Sequence, residues 1–494
     1  MEKHILSKST FLRGLQCLKS LHLNKFHHEL RDPIDESQEA KFTTGKMVGE
    51  LARDLFPGGI NARSTDPSDI QDSLQHTQKL IAEGAPVIYE AAFQHDRVLA
   101  FVDILVRTGN TWHGHEVKSS TSAKDEYLWD LALQYHVITR SGFEIDDFSV
   151  VHLNNKYVRK GDLDLHALFT QVSLISGVKR VQTQVKDEIE EFVAVLASDQ
   201  EPEIDIGPYC RSPYECDFLS HCWRHIPEDS LFTLARINQK LKFELYYDGL
   251  IRIEDLPVDF PHNRSSRAQV DGLLYNRSII DGDRIRQFLD AIEYPRYFLD
   301  FETFNPGIPP FDNTSPYQQI PYQYSLHTKL SPTGEVSHSG FLAEAGTDPR
   351  KPLAEALLSE TEGPGDILVY NRSFEASVIK GLVKHMPDRA ADLEERMSRF
   401  VDLMVPFQKR YCYLPQMKGS YSLKAVLPAL VPELRHDDLE VADGMQAMGA
   451  YLQLAHENDV ERLNAVRDAL WEYCKLDTFA MVRILEKLES LQGE

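Results

Sequence analysis

RYFLDFET, residues 296–303, sets two acids two positions apart inside an apolar run. In a strand alternate side chains share a face, so Asp300 and Glu302 project to one side and Tyr297, Leu299 and Phe301 to the other. Carboxylates inside an apolar strand are costly unless they pair or coordinate something. Outward from this strand come PYQYSLHTKL (321–330), its hairpin partner VSHSGFLAE (336–344), a helix near Pro352 to Glu360 and the strand DILVYN (366–371). Period-2 runs alternating with a helical stretch predict a mixed sheet with helices packed on it.

Two further motifs complete a pattern. YNRSFE (370–375) offers Asn371 and Glu375, and YCKLDT (473–478) holds Tyr473 and Asp477 four apart, on one side of a helix. A lone D-x-E or Y-x-x-x-D is far more often a paired surface acid, but three ordered motifs over about 180 residues weigh against that. Together they resemble the DnaQ-like exonucleases of the tyrosine subclass, which have a ribonuclease-H-like sheet. The resemblance implies that Asp300, Glu302, Glu375 and Asp477 hold two divalent cations, Mg²⁺ or Mn²⁺, and that Tyr473 positions the attacking water. VDL (401–403) and YSLK (421–424) echo the same family, which makes Asp402 an auxiliary acid. Glu375 departs from the aspartate most members carry.

In the N-terminal half, PVIYEAAF (86–93), RVLAFVDILVR (97–107) and WHGHEVKSS (112–120) read as a β-meander with breaks at His95-Asp96 and Gly109-Asn110. A helix is expected from Asp125 to Thr139, then the strand FSVVHLNN (148–155), then a helical pattern from about Leu165 to Ala197. Asp103 lies in the apolar run AFVDILV, and Glu116 and Lys118 share a face of the next strand. Two acids and a lysine so placed suit phosphodiester cleavage: the acids hold a cation, and the lysine orients water or meets developing charge. For an isolated E-x-K a solvated pair is the commoner explanation. Gln134, in WDLALQYHV, adds a polar group on the following helix face.

Four cysteines bracket this unit, Cys17 in LQCLKSLHL and Cys210, Cys216 and Cys222 in YCRSPYECDFLSHC. The combination resembles the RecB-type branch of the PD-(D/E)XK nucleases, in particular its iron–sulfur members such as AddB and the Cas-type exonucleases. That resemblance implies a restriction-endonuclease-like fold with Asp103 and Glu116 as metal ligands and Lys118 and Gln134 in the active site. The cysteines would carry a 4Fe–4S cluster stapling the two ends of the unit, with a tetrahedral zinc as the alternative. Two departures stand out. FTTGKMVGELA (42–52) offers Gly49 and Glu50 where relatives usually have a histidine, leaving Glu50 or Glu90 as substitute outer ligand, and the cysteine run is C-x₅-C-x₅-C.

The remaining sequence constrains the picture. A chain of 494 residues with 42% hydrophobic content supports several cores, and no run reaches the 18 apolar residues of a membrane span. With no signal-peptide pattern and only six cysteines, a cytoplasmic protein without a disulfide framework is expected. The net charge of −23 excludes a non-specific nucleic-acid coat and confines any such contact to a local groove. The division expected is 1–226, a helical connector at 227–293, and 294–494. The whole order resembles a bacterial fusion family whose second half is a domain of unknown function. His113, His115, His136 and His152 read as structural, and Cys412 and Cys474 as packed. QKRYCYLPQMKGSYSLK (408–424) is either a surface loop or a guide for a single strand. The resulting expectation is an α/β metal-dependent nuclease acting on DNA ends, against a nucleic-acid-end-binding scaffold with one inactive core or an RNA 3′-exonuclease.

Overall fold

The computed structural model describes residues 5–434, 441, 443–455 and 457–492. The protein is α/β, with two mixed sheets and a long C-terminal helix, in two compact units. Unit 1 is Met1–His225 with Pro306–Gln318, and unit 2 is Ile226–Asn305 with Gln319–Glu494. Among the described residues no helix is long and apolar enough to cross a membrane.

Unit 1 is built on seven strands: β1 (Leu6–Ser7), β2 (Ile60–Asn61), β3 (Val87–His95), β4 (Val98–Thr108), β5 (Thr111–Lys118), β6 (Asp147–Leu153) and β7 (Phe169–Ser173). They run in the order β2-β3-β4-β5-β6-β7, with β1 also on β4. The β3–β4 turn is tight because Asp96 and Arg97 both take positive φ, 44° and 64°, matching the twist of the strands it joins. Around the sheet lie α1 (Lys8–Gln16), α2 (Leu18–Phe26), α3 (Glu36–Ala52), α4 (Ile70–Glu83), α5 (Glu126–Arg140) and α6 (Gln182–Ala197). Phe11, Val102, Leu131, Val150 and Phe192 meet in one core, and Val48, Ile104, Val151 and Phe169 in another.

The continuous helical pattern expected from Leu165 to Ala197 is interrupted. Phe169–Ser173 is a strand, antiparallel to β6 from Ser149↔Ser173 to Leu153↔Phe169. Its alternating FTQVS pattern fits an edge strand better than a helix, and tertiary pairing overrides the helical spacing around it.

β5 pairs with β4 only from Ile104↔His115 to Thr108↔Thr111, while β1 occupies Val98 and Leu99 on β4. The ladder therefore stops where continued register would set Asp103 opposite Glu116. On the other side, β3 keeps one register past the same point, which sets Glu90 opposite Asp103. Glu90 has φ 53°, a backbone strain of the kind concentrated at functional sites.

Residues 306–318 are laced to unit 1 by backbone bonds. Arg159 N–H donates to the Thr314 carbonyl at 3.0 Å, and Asn313 N–H returns a bond to the Arg159 carbonyl at 2.8 Å. The Arg159 guanidinium spans the carbonyls of Pro309 and Pro310, and Tyr317 Oη donates to the Ser119 carbonyl at 2.6 Å.

In unit 2, β9 (Arg296–Phe304), β10 (Ile320–Lys329), β11 (Val336–Leu342), β12 (Asp366–Val369) and β13 (Phe400–Asp402) lie in the order β11-β10-β9-β12-β13; β8 (Ile279–Ile280) and β14 (Cys412–Tyr413) form a small second sheet. The first three strands of the large sheet are antiparallel, and β12 and β13 run parallel to β9. The expected connector is α7 (Arg264–Tyr275) and α8 (Gly282–Asp290) with shorter turns, and it belongs to unit 2. One sheet face carries α9 (Arg350–Glu360) and α10 (Arg372–His385), packed over Leu299 and Phe301. The other carries α12 (Val460–Leu491) over Phe298, after α11 (Gly444–Leu454).

Candidate functional site

In unit 1 the acids, lysines and glutamine converge. Glu116 is buried, and its two oxygens are fully engaged: Oε1 accepts from Lys118 Nζ at 2.8 Å and from Lys8 Nζ at 2.7 Å, and Oε2 accepts from Gln134 Nε2 at 2.9 Å. Lys118 also pairs with buried Asp130, whose other oxygen accepts from Gln134 at 3.1 Å. Asp130 and Gln134 are one helical turn apart on α5, the spacing that puts both on one face. Asp103 Oδ2 accepts the Val117 N–H at 2.8 Å across the gap where the β4–β5 ladder ends.

The electrostatics separate the two acids. Burial opposes the charge of Glu116, but the ammonium groups of Lys118 and Lys8 outweigh it and hold its carboxyl well below the usual carboxylate range. Burial, with Glu116 alongside, pushes Asp103 up to about 7. Lys118 stays charged far above its ordinary range, since Glu116 and Asp130 overcome its burial. Asp103 is thus held toward the neutral form beside an ionised Glu116. Glu90 is spent on other partners, Arg53 at 2.9 Å and Arg63 at 3.2 Å, and Glu50 is exposed.

Lys8 and Asp130 were not singled out in the sequence. Asp130 had a signal, its spacing from Gln134; Lys8 had none, because it arrives from 108 residues away.

Cys17, Cys210, Cys216 and Cys222 line one small cavity in unit 1, with Ser20, Ile206 and Phe218. No three of their sulphurs approach one another within 4.8 Å. Burial pushes the Cys222 thiol up to about 11 and raises Cys17 and Cys216 as well. The surrounding chain is fastened: Arg13 makes paired bonds to Asp217 at 2.5 and 2.9 Å, and Gln16 donates to the carbonyls of Tyr209 and Tyr214.

In unit 2 Asp300 and Glu302 lie on the sheet face covered by α12, as strand alternation requires. Tyr473, Cys474 and Asp477 come from that helix. Asp300, Glu302 and Cys474 offer atoms all within 4.8 Å of one another, and the Cys474 thiol donates to Asp300 Oδ2 at 3.9 Å. Burial raises Asp300 well above its ordinary value, helped by Asp477; burial does the same to Glu302, helped by Asp300 and Asp477. Glu375, in the first turn of α10, is buried and raised by burial and by Asp300, and its Oε2 is an acceptor with no hydrogen-bond partner. Burial and the acids around it also keep Tyr473 a neutral phenol. Thr478 fixes the adjoining turn of α12, its hydroxyl 2.7 Å from both Ser325 Oγ and His327 Nδ1.

Several other candidates have structural duties. Asp402 accepts the backbone N–H groups of Asn371, Arg372 and Met404, capping α10, and its charge also raises Glu375. Part of 408–424 is packed: Cys412, Tyr413 and Met417 are buried, and Arg410 lies against the Tyr413 and Tyr421 rings, while Lys409, Lys418 and Lys424 are exposed. His115 bonds Ser149 at 2.8 Å, and burial lowers it to about 4. Cys474 is buried as expected, yet its sulphur belongs to the acid cluster.

Residues 297–422 match a family model described as a domain of unknown function (DUF2779). The match begins inside β9 and ends before α11, so Tyr473 and Asp477 fall outside it. An uncharacterized protein of Ureaplasma parvum serovar 3, UU173, is 26% identical over 222 residues, covering 40% of this chain and 32% of that protein. The chain therefore matches about a third of that relative's length.

Proposed function

We propose that the protein is a metal-dependent nuclease with two active sites, acting on DNA ends. The observation that carries the reading is the unit 2 cluster: Glu302 and Glu375 are buried and Asp300 half-buried, all three carboxyls are raised by desolvation and by neighbouring acids, Asp477 lies beside them, and one Glu375 oxygen has no hydrogen-bond partner. Such a donor set fits divalent cations, because hard cations take oxygen ligands and remove the cost of assembling like charges. The strand order of the large sheet and the three ordered motifs support a ribonuclease-H-like exonuclease domain. In unit 1 the seven-stranded sheet, with Asp103, Glu116, Lys118 and Gln134 gathered on it, supports a PD-(D/E)XK-like domain.

Asp103 and Glu116 would hold a cation in unit 1, and Asp300, Glu302, Glu375 and Asp477 would hold two in unit 2. When bound, Mg²⁺ or Mn²⁺ supplies Lewis acidity toward the scissile phosphate and lowers the pKa of attacking water. The chain's own groups do the rest. Lys118 is too firmly protonated to act as a base, so it contributes positive charge and holds Glu116 and Asp130 in place. Tyr473, neutral at physiological pH, orients water through its hydroxyl. The four cysteines would bind one group in their shared cavity. The wide C-x₅-C-x₅-C spacing, unlike the paired C-x₂₋₄-C of a zinc knuckle, favours 4Fe–4S, with a tetrahedral zinc as the alternative.

The test is cleavage of end-labelled single- and double-stranded DNA, and matching RNA, by anaerobically purified protein with Mn²⁺. Wild type is compared with Glu116→Gln, Asp300→Asn and the double variant, and iron and zinc are assayed alongside. Stepwise loss of cleavage is expected. A wild type that binds ends tightly yet cleaves neither polymer would replace this reading with an end-binding scaffold, and cleavage of RNA alone with an RNA 3′-exonuclease.

A further inference from the structure

Helix α1 begins at Lys8 and ends against Cys17, so one nine-residue helix runs from the buried acids to the cysteine cavity. At about 1.5 Å per residue this rod is roughly 13 Å long. Its C-terminal end is fixed by the Arg13–Asp217 pair and by Gln16 on the carbonyls of Tyr209 and Tyr214. At its N-terminal end Lys8 Nζ stands 2.7 Å from Glu116 Oε1 and 3.8 Å from Asp130 Oδ1. The first turn of a helix disfavours a cation, so the acids, not the helix, keep this ammonium in place.

We propose that Lys8 is a second functional lysine of the unit 1 site, held against Glu116 by the cysteine loop acting through α1. The proposal rests on the reading of Asp103 and Glu116 as cation ligands. The two lysines are tethered differently. Lys118 hydrogen-bonds both Glu116 and Asp130, whereas Lys8 hydrogen-bonds Glu116 and stands farther from Asp130, at 3.8 Å. With Glu116 engaged by a cation, Lys8 would lose its one hydrogen-bonded partner there, while Lys118 would keep its bond to Asp130. The released ammonium then faces the anionic phosphate, and with no cation present it returns to neutralise Glu116. Lys8 is thus a stand-in for the cation and a phosphate contact in turn, and its reach is set where the chain is fastened around the cysteines.

The experiment uses the full chain with Asp300→Asn, which removes a donor of the unit 2 cluster, and measures Mn²⁺ binding by electron paramagnetic resonance beside cleavage at saturating Mn²⁺. Lys8→Met is expected to bind Mn²⁺ at least about tenfold more tightly, since a unit charge some 4 Å from the ligand no longer competes. It is expected to cleave at least tenfold more slowly, with Lys8→Arg recovering part of the rate. Asp217→Ala, which loosens the far end of α1 and leaves all four cysteines in the chain, is expected to shift both readouts the same way by less. A counter-ion with no other role would be replaced by the metal, so wild-type cleavage by Lys8→Met at saturating Mn²⁺ would overturn the proposal. Unchanged Mn²⁺ affinity in Lys8→Met would do so too. Mn²⁺ binding that survives Glu116→Gln in this background would instead remove the ligand assignment on which the proposal stands.

Discussion

Asp103 and Asp300 are each held toward the neutral form by the same two causes, burial first and a neighbouring carboxylate second. An acid whose folded pKa lies above its unfolded value binds its proton more tightly when folded. Stability is then greatest at low pH and falls as pH rises from the unfolded value through the folded one. For Asp103 that window runs from about 4, the ordinary carboxyl value, to about 7. The metal-free protein is therefore expected to lose melting temperature between pH 5 and 8 in chelator, with Mn²⁺ reversing the loss. Asp300→Asn is expected to raise the melting temperature in chelator at pH 8 and to reduce the gain from Mn²⁺. Differential scanning fluorimetry reads both, and a melting temperature that climbs with pH in chelator would contradict the account. Glu116 behaves oppositely because two lysines outweigh its burial. Glu116→Ala strips both of that partner and is expected to cost roughly 3–5 kcal/mol. Glu116→Gln keeps the volume and one acceptor oxygen and should cost distinctly less, by urea unfolding.

Helix α1 is seated by a glycine. A side chain at Gly14 would meet the Phe192 ring at 2.7 Å, so only hydrogen lets α1 lie against α6. Gly14→Val is expected to cost about 1–3 kcal/mol by overpacking and, by tilting α1, to weaken both iron retention and cleavage assigned to unit 1. Near-wild-type stability and iron content in this variant would refute that packing argument. In unit 2, Gly365 takes φ 92° and a Cβ there would stand 2.1 Å from the Pro295 carbonyl oxygen, so Gly365→Ala is expected to be strongly destabilising in urea. Elements of this kind were legible in the sequence to different degrees. RYFLDFET, AFVDILV and GHEVKSS could be read because a period of two fixes which residues share a face, and YCKLDT because one helical turn does the same. Phe169–Ser173 was missed because its five residues lie between helical stretches and pairing to β6 decides their state. The capping role of Asp402 was not legible because it depends on where Asn371 begins α10, and Lys8 was invisible because tertiary structure alone brings it to Glu116.

At the scale of the molecule, strand and helix patterning announced α/β structure in both halves without announcing how the chain is shared between the two units. The expected boundaries were single cuts, whereas residues 306–318 leave unit 2 between β9 and β10 and are laced into unit 1 through Arg159, Gly161 and Ser119. Replacing 307–317 with a Gly/Ser linker of equal length is expected to lower the stability of unit 1 while sparing the β9–β10 pairing. A two-phase unfolding curve in which only the unit 1 phase moves would be the supporting result, and unaltered unfolding of both the opposing one.

That excursion also sets an order of events during synthesis. The first 225 residues carry nearly all of unit 1, yet its last piece emerges only after roughly 90 more have been made. At about 5–20 residues per second the growing chain waits roughly 5 to 20 s for it. In that interval Arg159 has no carbonyls from 309 and 310 to hold, and Ser119, next to Lys118, lacks Tyr317. The nascent unit 1 is therefore unfinished while it is being made, and it is completed only when a strand of its neighbour has already left the ribosome.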